Sequence, residues 1–407
     1  MLSDPLLIAT VLLISAALAA SAGLLILQLG LLRVFSQAPQ LQPLIADDPS
    51  MPFRSTALTV VIPAFNEVDN IGSCLASVLS SDPPCQHWQV VVVDDGSTDT
   101  TSEVAVATAR ACSTTSAEFT LLDAGPRPAG ERWVGKNWAC TRAMDRVQSE
   151  WVLFVDADVC LKPDAIRRAL NQAMAEEVDL FSLAPRLVCG CLAEWMVQPI
   201  MASLLGLGFP IVAANNPNST VAFAAGPFML FRRSAYVAIG GHRELASEVV
   251  EDLALARRIK QSGYRLRYLL GLDAVDLRMY KDLASLWEGW TKNWLLGLER
   301  DVFKALGASA AVVLMFAAPW ILVATSFVLM VLFPSHLVWW LTLSAFCVVA
   351  IGQQLFLRLW QRHRFAVPIT NWWLMGAGGL FVGAIGPVSV WRTLTGQGWT
   401  WKGRPLA

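Results

Sequence analysis

Leu58-Thr-Val-Val-Ile-Pro-Ala-Phe-Asn-Glu67 carries an unbroken apolar run into a proline and then into polar groups. A β-branched run without alternation reads as a strand buried on both faces, the habit of parallel sheets. Two more follow the same plan: residues 90–93 end in Asp94-Asp95-Gly96-Ser97, and residues 151–155 end in Asp156-Ala157-Asp158. Helical periodicity separates them over residues 70–79, 99–110 and 137–146. Strands alternating with helices, each with its polar group at its carboxyl end, predict an α/β domain. Its sheet is open and mostly parallel, with a ligand crevice along that edge.

Acidic residues after strands are often only helix caps, and Asp99 and Asp164 are read that way. Asp156 and Asp158 are different. Carboxylates at i and i+2 after a buried strand put two hard oxygen ligands on one edge, an arrangement that holds a divalent cation together with substrate phosphates. Farther on, Glu251-Asp252 opens a helix whose apolar side is Leu253, Leu255, Ala256 and Ile259. Both acids sit at its positive end, where an ionised carboxylate is favoured.

The rest of the chain belongs to a membrane. Of 407 residues, 55% are hydrophobic and 15% charged, against roughly 25% charged in an ordinary soluble domain; mean hydropathy is +0.49. Lys and Arg total 31 against 32 Asp and Glu, which leaves no basic footprint for nucleic acid. The eight cysteines are scattered, and Cys189 and Cys191 are too close for a zinc pair or a disulfide framework.

Charge-free stretches locate the spans. Asp4 and Arg33 bracket 28 residues without charge, more than the roughly 20 needed to cross the hydrocarbon core. A signal peptide is excluded by the missing basic n-region and the length of the run. Between Lys304 and Arg358 no Asp, Glu, Lys or Arg occurs, and Phe333-Pro334-Ser335 breaks that stretch into two helices. A third stretch, from Phe365 to Trp391, is rich in glycine: Gly376, Gly378, Gly379, Gly383 and Gly386. The expected organisation is a transmembrane helix over 1–34, a catalytic domain over 52–303, a membrane domain of two to three helices over 305–391 and a basic tail over 392–407. Segments 192–214, interrupted by Pro199 and Pro210, and 281–303, with Trp287, Trp290 and Trp294 on one face, are expected at the bilayer interface. Arg33 and a loop bearing Arg358, Arg362 and Arg364 put the catalytic domain on the cytoplasmic face of an integral membrane protein. The glycine-rich stretch is expected to be a re-entrant hairpin that returns the tail to that side.

The motifs in order, Val-Ile-Pro-Ala-Phe-Asn-Glu67, Val-Val-Val-Asp-Asp-Gly-Ser-Thr-Asp99, Asp156-Ala-Asp158 and Val250-Glu-Asp-Leu-Ala-Leu-Ala256, resemble the family 2 glycosyltransferases of the GT-A fold. The resemblance implies an inverting transferase that uses a nucleotide-diphospho sugar and a divalent cation, Mg or Mn. Carried over, Pro63, Ala64, Asn66, Glu67 and Asp95, with Asp94 beside it, match the nucleoside pocket. Asp156 and Asp158 match the ribose and metal-diphosphate contacts, Lys136 supplies positive charge towards the donor, and Asp252, next to Glu251, matches the general base. Trp133-Val-Gly-Lys136, Ala225-Gly-Pro227, Gly240-Gly-His242, Arg278-Met-Tyr280 and Trp401-Lys-Gly-Arg404 look like the membrane-bound carotenoid glycosyltransferases, related to hopanoid-associated and ceramide-type enzymes. Where many relatives carry Q-x-x-R-W this chain reads Trp290-Thr-Lys-Asn-Trp294. That leaves either Lys292 or Asn293 for the diphosphate and argues against a processive synthase.

The expected function is hexosyl transfer from a nucleotide sugar to a membrane lipid, a carotenoid first. Another lipid (diacylglycerol, a hopanoid or polyprenyl phosphate) is the alternative. A scaffold on an inactive domain is the non-enzymatic rival, and the retained Asp95, Asp156, Asp158 and Asp252 argue against it.

Overall fold

The computed structural model describes residues 5–44, 56–112, 116–208, 211–397, 399–401 and 404–406. Pro52, Pro210, Lys402 and Gly403, each part of a feature read from the sequence, lie outside the described residues. By contacts the chain divides into two compact units. Met1–Ser36, Cys189–Gly208 and Tyr280–Thr400 form a helical unit; Gln37–Val188, Phe209–Met279 and Trp401–Ala407 form a sheet unit.

The sheet unit is organised by seven strands running, edge to edge, Glu118–Asp123, His87–Asp94, Ala57–Ala64, Trp151–Val155, Phe228–Arg232, Leu180–Ala184 and Leu266–Leu270. The first four are parallel, Phe228–Arg232 is antiparallel to both neighbours, and the last two are parallel to each other. Leu58, Val60, Ile62, Val90, Val92, Leu153 and Val155 are buried, as apolar strands covered on both faces must be. Register pairs Ala64 with Asp94, so the polar ends of the central strands emerge level with each other. The sheet is the mostly parallel one expected, but four of its strands carried no distinct signal. Short apolar runs such as Leu180–Ala184 and Phe228–Arg232 cannot be told from buried helix by periodicity. The sheet unit also begins earlier than residue 52. Leu270 donates to Pro39 O and Leu41 donates to Leu270 O, both at 2.9 Å, and Arg168 Nη2 donates to Leu41 O at 3.0 Å.

In the helical unit, Ile8–Gln37, Val302–Leu332, Pro334–Phe365 and Trp372–Leu394 are long and apolar enough to cross a membrane. The expected break falls at a short 3₁₀ turn, Pro334–His336. Three expectations need correcting. The glycine-rich stretch is one continuous helix, Met375–Leu394, and no hairpin: a Cβ at Gly379, Gly383 or Gly386 would strike Phe316, Val313 or Ser309, so these glycines permit close helix packing instead of a reversal. Arg358, Arg362 and Arg364 lie within the helix Leu337–Phe365 instead of on a loop, and Arg358 is wholly buried. Two of the three tryptophans are interior, while Trp287 is half-buried. Trp290 and Trp294 are buried, Trp290 Nε1 donates to Gln198 Oε1 at 2.8 Å and Trp294 Nε1 to Ala305 O at 3.1 Å. The helix Leu192–Gly208 belongs to this unit, with Met196 and Ile200 against Gly378, whereas Ile211–Asn215 belongs to the sheet unit and bonds Tyr268.

Candidate active site

The carboxyl edge of the sheet assembles two groups of side chains. In the first, Asn66 follows Ala64 and turns the chain with φ of 50°, a left-handed conformation asparagine tolerates. Its Oδ1 accepts from Thr98 N at 2.8 Å and its own N–H donates to Ser97 Oγ at 2.9 Å. Asp94 holds the same loop, accepting from Ser97 N at 2.8 Å and Ser102 Oγ at 2.6 Å. Glu67 N donates to Thr101 Oγ1 and its carboxylate accepts from Asn70. Pro63 sits opposite Val93 in the sheet register, and Ala64 O accepts from Asp95 N. Asp94 and Asn66 therefore build the crevice wall, while Asp95 Oδ2 pairs with Arg127 Nη2 at 2.5 Å. Arg127 escaped the sequence reading because no spacing marks it. The pair leaves no room beside it at Gly135: a Cβ there would stand 2.5 Å from Asp95 Oδ2 and 3.1 Å from Arg127 Nη2.

The second group converges on Lys136, the next residue along. Its Nζ lies 2.5 Å from Asp156 Oδ1 and 2.6 Å from Glu251 Oε1. One ammonium thus joins the end of the strand Trp151–Val155 to the start of the helix Glu251–Gln261, 95 positions apart in sequence between Asp156 and Glu251. Asp252 takes a different set of partners: Gly226 N–H donates to Oδ2 at 3.0 Å and Leu253 N–H to Oδ1 at 2.7 Å. Gly226 is required by this closeness, since a Cβ there would stand 3.2 Å from Asp252 Oδ2 and 3.3 Å from Lys136 Nζ.

Those partners separate the two neighbouring acids electrostatically. Burial penalises the Glu251 carboxylate, but the Lys136 ammonium outweighs it and holds Glu251 below its ordinary value. Burial, reinforced by the charge of Glu251, pushes Asp252 up to about 7. Burial likewise opposes the charge on Lys136, and Asp156 and Glu251 outweigh it, keeping the ammonium charged. His242, from the Gly-Gly-His stretch, is pulled down by burial to about 3 and is neutral. Tyr236 OH accepts from His242 N–H at 3.0 Å and shares a hydrogen bond with the ring Nδ1 at 2.6 Å.

A divalent cation fits here. Asp158 Oδ1 is buried without a hydrogen-bond partner. Burial, then Asp156 and Glu67, push the Asp158 carboxyl up to about 8. A carboxylate held in that state is short of a positive ligand. Among the described residues no three His, Cys, Asp or Glu side chains converge on one point. A cation beside Asp156 and Asp158 therefore draws its other ligands from phosphate or water, as hard cations commonly do. Lys292 and Asn293 stand on the helix Leu283–Gly297 of the helical unit.

With this geometry in place, comparison with known proteins is direct. The chain belongs to Glycosyl transferase family group 2, whose profile matches residues 151–390, and the Glycosyl transferase family 2 profile matches residues 59–240. Its fold is the GT-A fold. The 4,4'-diaponeurosporenoate glycosyltransferase of Staphylococcus aureus (strain USA300) is 31% identical over 248 residues, 60% of this chain and 62% of that protein. The mannosyltransferase PcManGT from Pyrobaculum calidifontis, solved with GDP-Man and Mn2+, superposes with a TM-score of 0.50 at 18% identity, covering 94% of this chain and 99% of the other.

Proposed function

We propose that this protein is an inverting glycosyltransferase that moves a hexose from a nucleotide-diphospho sugar to a membrane lipid, with a carotenoid as the first acceptor to test. The observation that carries the reading is the Lys136 bridge. It draws a diphosphate-binding pair, Asp156 and Asp158, and a base-bearing helix start, Glu251-Asp252, to one point, which in-line displacement at an anomeric carbon requires. Asp94 and Asn66 shape the loop for the nucleoside, and Asp95 with Arg127 offers it a polar edge. A cation beside Asp156 and Asp158 neutralises charge on the leaving diphosphate. Asp252 accepts from the backbone N–H groups of Gly226 and Leu253, and its raised pKa suits it to take the acceptor proton near neutrality. Glu251, spent on Lys136, positions that lysine.

The staphylococcal relative supports the carotenoid acceptor, and its name is that of a carboxylate. A carboxylate acceptor has no proton to lose, so Asp252 then acts by orientation. The four apolar helices support an acceptor dissolved in the bilayer. Exposed Arg33, Arg362 and Arg364 support a cytoplasmic sheet unit. We place three helices across the membrane and Trp372–Leu394 among its neighbours on the cytoplasmic side. Its apolar window is 61% buried against 28–33% for the other three, and Trp401–Ala407 groups with the sheet unit. A reporter fused after Ala407 tests this; a periplasmic signal from it would require a fourth crossing. The function is tested by extracting lipids from cells with and without the gene. The expected result is a pigment or lipid lighter by one hexose in the deletion, and identical lipid profiles would sink the proposal.

A further inference from the structure

We propose that Lys136 is a tethered stand-in for the divalent cation, holding Asp156 in the donor-free enzyme and admitting the cation only together with a nucleoside diphosphate. This rests on the glycosyltransferase reading of the same site and adds an order of binding to it. Three geometric facts lead to it. Lys136 Nζ contacts Asp156 Oδ1 at 2.5 Å and Glu251 Oε1 at 2.6 Å, so Asp156 is already neutralised by protein. Two residues on, Asp158 Oδ1 is buried and partnerless. Space beside Nζ is also short, since a Cβ on Gly226 would lie 3.3 Å from it.

A cation that uses both Asp156 and Asp158 therefore arrives beside a fixed ammonium. Two positive centres a few ångströms apart in a partly desolvated crevice repel strongly. Bound alone, the cation has only Asp158 uncontested, because Lys136 holds Asp156. A diphosphate changes the balance by bringing negative charge for both cations, so Lys136 can release Asp156 without leaving either positive group uncompensated. The lysine thus disfavours free metal and links metal entry to donor entry. With Asp156 released, Glu251 still retains Lys136, keeping the ammonium near the helix that bears Asp252.

The experiment measures Mn2+ alone against the detergent-solubilised full chain by electron paramagnetic resonance, with no nucleotide and no turnover. Wild type is expected to bind free Mn2+ weakly, Lys136→Met and Lys136→Gln at least tenfold more tightly, and Lys136→Arg within about threefold of wild type. Two neutral replacements are used so that one folded variant suffices, folding being checked by thermal melting. The conservative arginine separates charge from packing. No gain in Mn2+ affinity in the neutral variants, or an equal gain in Lys136→Arg, would overturn the proposal. A companion titration of wild type with UDP or GDP in the presence of Mn2+ reads the donor site separately. If neither nucleotide binds there, the glycosyltransferase reading fails, while the comparison of variants with Mn2+ alone still judges Lys136.

Discussion

Gln354 donates through Nε2 to the carbonyl oxygens of Met315 at 2.9 Å and Phe316 at 3.1 Å, within the π-helical turn Val313–Ala317 that runs into Pro319, a residue with no N–H to return to that turn. The same helix repeats the device one turn on. Arg358 Nη2 donates at 2.9 Å to Trp195 O, the carbonyl that Pro199 leaves open in Leu192–Gly208. Gln361 then donates to Pro199 O at 2.7 Å. Residues 354, 358 and 361 share one helix face, all essentially unexposed. A polar stripe inside an apolar bundle thus serves carbonyls beside two helix-interrupting prolines, as under-satisfied carbonyls in a membrane setting demand.

If the stripe acts that way, Gln354→Leu destabilises the wild-type chain by about 1 kcal/mol. In a Pro319→Ala background, where an N–H is restored to the turn that Gln354 serves, the same substitution should cost clearly less. Thermal melting in detergent measures the four proteins of the cycle, and equal costs in both backgrounds would show that Gln354 does not serve that turn.

If Asp252 is the base, it sets the pH dependence when the acceptor is a hydroxyl. Its folded pKa is raised to about 7, so it keeps its proton at lower pH and is competent as a base only above that value. The rate kcat/KM is expected to fall about tenfold per pH unit below about 7, and to be flat above it. Asp252→Asn should lose about 10² to 10⁴-fold with donor binding near wild type, and Glu251→Gln much less. The reverse ranking transfers the base to Glu251; both variants remaining active identifies a carboxylate acceptor.

If Asp158 holds the proposed cation, it trades stability for function. An acid whose folded pKa is raised to about 8 costs the metal-free fold stability as pH rises from its unfolded value through 8. Asp158→Asn should therefore raise the melting temperature in chelator at pH 7.5 while abolishing turnover in Mn2+ or Mg2+. A lowered melting temperature would mean that the carboxylate is satisfied without a cation, and full wild-type activity in excess chelator would remove the metal from the mechanism.

Trp290 lies inside the helical unit with its Nε1 on Gln198, so Trp290→Glu buries an unpaired carboxylate. The expected outcome is a lower melting temperature with donor binding and lipid glycosylation reduced together. A loss confined to lipid acceptors, with unchanged melting, would return the tryptophan to the bilayer surface.

Local chemistry made much of this protein legible from sequence. Buried β-branched strands, the acids that end them and the charge-free helices are fixed by residue type and period, so the α/β sheet and the position of Asp94, Asp95, Asp156 and Asp158 at its strand ends are legible there, as is the helix start at Glu251. What the sequence could not carry was which distant groups meet. That Lys136 touches both Asp156 and Glu251, that Arg127 answers Asp95, and that the backbone of Gly226 and Leu253 donates to Asp252 are products of register and helix placement. The helical unit shows the same limit. Arg358, Trp290, Trp294 and the glycines of the last long helix have the composition of an interface, yet each is interior. Whether a polar, aromatic or small residue faces lipid or protein depends on what packs against it, and that is decided only when the carbonyls beside Pro199 and Pro319 meet another helix.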